Sequence, residues 1–197
     1  MKYLLTTASL LAMTSTAALA ITYPTFEFDA GASSIAFSQN GSLCLGCSVN
    51  YEFNDVAPWT PTSANEVNVV NNFIDWDIGG LGAESYDLEA TIAFSTPDAA
   101  SGSTDGYGAY WTIYGIVSGG VLSWDGPGTI DFAQGSSVDF YLEGGDFKGW
   151  GSSVTTGITF VGNDIAPVPL PAAAPLLLAG IGAFGFAGRR RKKKAAA

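Results

Sequence analysis

The chain has 197 residues, with eighteen acidic and eight basic side chains, no histidine and two cysteines. All the acids lie from Glu27 to Asp164, whereas seven of the cations, Lys2 and Arg189 to Lys194, lie outside; residues 21–167 keep only Lys148 and carry a side-chain charge of 1 − 18 = −17. That field repels polyanions, so no nucleic-acid partner is expected, and the missing histidine removes Ser-His-Asp and Cys-His nucleophiles and the common zinc sites.

In chain order, residues 1–20 read as a secretory signal peptide. Met1 and Lys2 form its positive start, Tyr3 to Met13 its apolar stretch, and Ala18 and Ala20 the small residues that a signal peptidase reads. Cleavage would leave Ile21 first. The exported domain that follows, residues 21–163, is long enough to bury a core as one folding unit.

Its residue choices favour strands. Phe26 and Phe28 alternate with Glu27 and Asp29, and Leu88, Ala90, Ile92 and Phe94 alternate with Glu89, Thr91 and Ala93. The same period returns at Ile130 and Phe132 and at Val138, Phe140 and Leu142, with Gln134-Gly135-Ser136 as a hairpin loop between them, and again at Ile158 and Phe160. Residues 54–65, with Pro58 and Pro61, read as a long loop. Gly79-Gly80, Asp105-Gly106, Gly119-Gly120, Asp125-Gly126-Pro127-Gly128 and Gly144-Gly145 all carry turn chemistry. The expected fold is all-β, a single antiparallel β-sandwich or jelly roll, with a signal helix before it and a transmembrane helix after it.

Cys44-Leu45-Gly46-Cys47 is a C-x-x-C without the strand-to-helix context of a thioredoxin-type redox motif. In an oxidising compartment Cys44 and Cys47 are expected to form a local disulfide across a loop; redox chemistry and a link to another chain are the alternatives. Residues 107–117 read as one strand, with Tyr107, Trp111 and Ile113 on one face and Tyr110, Tyr114 and Ile116 on the other. Either both faces are covered or one row is an exposed stacking platform, which makes Trp111 and Tyr114 candidate ligand contacts. Asp139, Tyr141 and Glu143, with Asp131, share the outward face of one predicted hairpin and would suit calcium or a sugar. Asp75-Trp76-Asp77-Ile78-Gly79-Gly80 does not complete an EF-hand loop, and no cofactor or other metal is expected.

Residues 164–171 form a proline-rich linker, and the motif Val168, Pro169, Leu170, Pro171 and Ala172 leads from it into the next segment. Residues 172–188 are free of charge and as a helix would span about 25 Å, a short transmembrane segment. Arg189, Arg190, Arg191, Lys192, Lys193 and Lys194 then form a basic stop within a cytoplasmic tail, residues 189–197, which orients the preceding chain outside.

This order of motif, span and cations resembles the PEP-CTERM sorting signals, and Val168-Pro169-Leu170-Pro171-Ala172 resembles the VPLPA variety of that family. The resemblance covers about thirty residues and lacks the Pro-Glu-Pro for which the family is named. It implies an exosortase-type membrane protease as partner, alongside signal peptidase. It also implies an inner-membrane precursor that is then delivered to the cell surface or beyond, in bacteria that make extracellular polysaccharide. The expected function is that of an exported, non-enzymatic surface or extracellular-matrix protein. The alternatives are a carbohydrate-binding module for exopolysaccharide and a secreted glycoside hydrolase, which needs two carboxylates about 5 to 10 Å apart in a cleft.

Overall fold

A computed structural model describes residues 23–166. The expected signal peptide, the sorting motif, the membrane segment and the basic stop lie outside the described residues. Nine antiparallel strands form one sheet: β1 (Glu27–Phe28), β2 (Ser34–Phe53), β3 (Val67–Thr96), β4 (Ala100–Ile113), β5 (Val117–Trp124), β6 (Gly128–Asp131), β7 (Ser137–Leu142), β8 (Gly145–Trp150) and β9 (Ser153–Gly162). The order is β6-β7-β9-β3-β4-β5-β8, with β1 and β2 paired to the remaining edge of β3. No helix occurs among the described residues.

The centre of the architecture is β3. Laid straight, its 30 residues would run about 100 Å. Yet the ring of Phe28 sits 4.9 Å from Phe73 and 6.5 Å from Phe94, and Phe160 sits 6.1 Å and 5.4 Å from the same two rings. Both ends of the strand therefore face one core, and the strand turns back on itself. The turn falls at Gly79-Gly80-Leu81-Gly82, where φ is +96° at Gly80 and +135° at Gly82, a backbone that side-chain-bearing residues rarely adopt. Directly opposite, β2 slips register between Leu45 and Ser48 and so bends with it.

One sheet thereby makes two layers, as strands do when they turn a corner between packed sheets. The first holds residues 48–53 of β2 and 67–78 of β3 with β9, β7 and β6; the second holds 34–45 and 81–96 with β4, β5 and β8. Their inner faces supply the core: Ile74, Trp76, Phe140, Ile158 and Phe160 from one side, Ile35, Leu88, Ile92, Phe94 and Leu122 from the other. The loop expected over 54–65 is anchored where Trp59 bridges Phe26, with rings 5.6 Å apart. The hairpin expected over 130–142 forms as β6 and β7.

Two readings of the sequence change. Residues 107–117 are not one strand: β4 ends at Ile113, and Tyr114 and Ile116 lie in the turn before β5. Asp105-Gly106 and Gly119-Gly120 are not turns but interior strand positions, and Gly79-Gly80 bends the chain inside β3 without ending the strand. Several glycines instead seat rings. Trp124 pairs with Gly106, Trp111 with Gly119 and Phe140 with Gly128, and a Cβ at Gly106 would come within 2.5 Å of the Trp124 ring.

The bend generates a stability prediction. A Cβ at Gly80 would stand 2.5 Å from the Cα of Cys47, so Gly80→Ala combines backbone strain with a main-chain clash. It should cost about 1–3 kcal/mol in urea unfolding. Gly149→Ala, at a position with open space around the new methyl, should stay within about 0.5 kcal/mol.

Candidate functional site

The strand register sorts the predicted contacts onto two opposite surfaces. On the outer face of the second layer, Leu43, Ala83, Trp111, Gly119 and Lys148 are successive cross-strand partners, followed by the row Ser85, Ala109, Val121 and Asp146. Small side chains form the floor, leaving a shallow trough of about 680 Å³. Trp111 is 37% exposed. A Cβ at Gly119 would lie 2.9 Å from three atoms of the indole, so the ring rests over that glycine and turns its other side to solvent. An aromatic plane beside small residues is the geometry on which a flat apolar ring face stacks. Tyr114, 68% exposed, stands apart in the β4–β5 turn at φ 53°.

Asp139, Tyr141 and Glu143 belong to the first layer and do not join Trp111 and Tyr114. They face outward as expected, but two of them are engaged. Asp139 accepts from the Thr129 hydroxyl at 2.7 Å, and Glu143 accepts from the Gly157 N–H at 2.7 Å. Asp75 and Asp77, with Glu52, form a further acidic surface on that layer. Asp75 accepts from Thr155 at 2.6 Å and Asn54 at 3.0 Å, which hold its carboxyl below the usual range.

The most elaborate polar constellation was not legible in the sequence. Glu84 lies across from Ser42 on β2 and Tyr110 on β4. Its Oε1 accepts from Ser42 (2.8 Å) and Gln39 (2.9 Å), and its Oε2 accepts from Tyr110 (2.8 Å) and Tyr86. The two tyrosine rings are stacked 6.3 Å apart with 14° between their planes. Beneath them a cavity of about 50 Å³ is lined by apolar side chains including Phe37, Trp76 and Phe147. Burial and the Glu84 hydrogen bond push the phenol of Tyr110 far above its ordinary pKa, and that of Tyr86 upward as well.

Cys44 and Cys47 flank the bulge with Cα atoms 5.7 Å apart, within disulfide reach. Their sulfurs and the Glu84 carboxylate lie within 4.8 Å of one another, a trio that by distance alone resembles a metal site. The donor chemistry argues otherwise. A carboxylate offers about four acceptor positions, and four donors already fill those of Glu84. The arrangement clamps three strands at the corner.

Burial works to raise the pKa of Glu84, and the hydrogen bonds from Tyr86, Tyr110, Ser42 and Gln39 more than offset it, leaving the carboxyl below its ordinary value. A folded-state pKa below the unfolded one gives stability that is present above the unfolded value and lost as pH falls through the folded one. Glu84→Gln should therefore lower the urea midpoint at about pH 7, and the gap between variant and wild type should close below about pH 4.

No curated protein and no solved structure matches the chain. The family described as the PEP-CTERM protein-sorting motif matches residues 167–192, which begin just beyond the described residues and take in the Val168-to-Ala172 motif and the first cations of the stop. The match covers the tail alone. The chain therefore carries a PEP-CTERM sorting motif at its C-terminus and is an exported protein addressed to an exosortase system.

Proposed function

We propose that the protein is a non-enzymatic surface or extracellular-matrix component, in which the β-domain is the displayed cargo and the tail the delivery signal. The observation that carries this reading is the sorting motif over residues 167–192. In this reading signal peptidase releases the N-terminus after Ala20, the apolar segment holds the precursor in the inner membrane, and an exosortase-type protease frees the domain to the cell surface. The acid-rich domain supports the same reading, because a charge of −17 over residues 21–167 keeps a displayed domain soluble and apart from anionic envelope polymers. Oxidation of the Cys44–Cys47 pair fits an exported location.

Replacing Pro169 and Pro171 with Ala in the host should make the full-length precursor accumulate in the membrane fraction and deplete the surface form. An unchanged distribution on immunoblots would overturn the sorting assignment.

One observation favours a second reading, a carbohydrate-binding module for exopolysaccharide: the half-exposed indole of Trp111 over its trough of small residues. Asp146, at the trough's edge, would accept from sugar hydroxyls, and calcium would act only as an accessory ion. If this reading holds, Trp111→Ala should weaken retention in gels cast with the host polysaccharide at least tenfold, while Tyr141→Ala on the opposite layer should leave it unchanged. Equal mobility of wild type and Trp111→Ala would leave the displayed-cargo reading alone.

A further inference from the structure

Between Asp29 and Glu52 the chain has no charged residue, although the domain around it is densely acidic. That interval contains nearly all of β2, whose only strand partner is β3, so among the described residues its second edge is unpaired. Proteins blunt such edges with charges, prolines, bulges or covering loops. Up to Tyr51 this one has no charge and no proline, and the register slip between Gln39 and Gly41 is its one bulge before the corner. The hydroxyl of Tyr51 takes the Ile35 N–H at 2.9 Å, leaving residues 36–45 as the open run. Gln39 and Ser42 do not cover it, because their side chains reach inward to Glu84. At its end stand Leu43 and Leu45, 87% and 73% exposed.

The other free edge of this layer, β8, carries Asp146 and Lys148, and the end strand of the other layer, β6, carries Asp131. Among the described residues only β2, up to Tyr51, offers a long backbone edge on which a second strongly acidic copy meets no like charge. The nearest acids, Glu84, Asp87 and Glu89, sit one strand inward, opposite Ser42, Ser38 and Ala36. Across a β2–β2 junction the two β3 strands would be three strand spacings apart, about 14 Å, beyond the roughly 8 Å over which charges are felt at physiological salt. An edge that meets its own copy about a twofold axis runs antiparallel to it.

We propose that residues 36–45 of β2 are a self-pairing edge, which joins two copies of this chain, β2 against β2, into one continuous antiparallel sheet. The pairing brings the exposed leucines into the junction and makes the displayed unit a dimer.

The test is light scattering on the full chain in detergent micelles, with hydrogen exchange measured on the same samples. The expected result is a dimer that tightens as salt is raised and whose amides in 36–45 exchange more slowly as protein concentration rises. Leu43→Lys with Leu45→Lys should raise the dissociation constant at least tenfold, while Val69→Lys, an exposed position on the other layer, should not. Should the double variant fail to fold, Ser38→Lys places a cation on the same edge and should have the same effect. A monomer at every concentration overturns the proposal. So does a dimer that loosens with salt, or one whose concentration-dependent protection falls on Gly145–Trp150 or on the tail.

Discussion

Everything in this domain depends on the folding-over of β3 at Gly80 and Gly82. A strand of that length cannot bury both ends in one core unless its backbone leaves extended geometry, and glycine is the residue that does so at least cost. The bulge at Cys44–Cys47 is the matching concession in β2, because a paired strand must bend where its neighbour bends. The fold-over gives the molecule two layers without a second sheet. It also sets Trp111 and Asp139 on opposite surfaces, and it brings Glu84 beside the two cysteines.

The second constraint is charge. With one lysine against eighteen acids in the exported stretch, ion pairing cannot satisfy the carboxylates, and neutral donors do it instead. Glu84 uses two phenols, a hydroxyl and an amide. Glu66, held below the ordinary range, uses the Thr62 backbone N–H and hydroxyl and then the Trp59 indole. Asp29 takes the N–H groups of Gly31 and Ala32, and Asp98 that of Ala133. Hydrogen bonds to a charged group are each stronger than neutral ones, so these acids fix loops and strand edges while the surface stays negative. Such a surface suits a displayed protein, and it makes the charge-free edge of β2 stand out.

Much of the fold was legible because period-two alternation survives wherever one face is wet. Ile130, Val138, Phe140, Ile158 and Phe160 all point inward as their spacing predicts. The failures have one physical source: the sequence does not say whether a glycine turns the chain or seats a ring. Gly106 and Gly119 read as turns because their aromatic partners, Trp124 and Trp111, are distant in sequence and become neighbours only through pairing. The run from Tyr107 to Val117 read as one strand because nothing in its aromatic composition marks Tyr114 as taking positive φ together with Gly115. Glu84 escaped notice for a related reason. An acid at an inward position looks like a break in the pattern until Gln39, Ser42, Tyr86 and Tyr110 converge on it.

The sequence alone determined the class and the destination. Alternation, glycine content and the absence of a helical period are local properties, and so are an apolar stretch, a proline motif and a run of cations; each is complete within a few tens of residues. Only the tertiary structure decided that β3 would serve both layers, that the acidic hairpin and the Trp111 platform would part company, and that β2 would be left, among the described residues, with an open edge. Those outcomes rest on which strand lies beside which, and pairing between residues many positions apart leaves no mark on either partner alone.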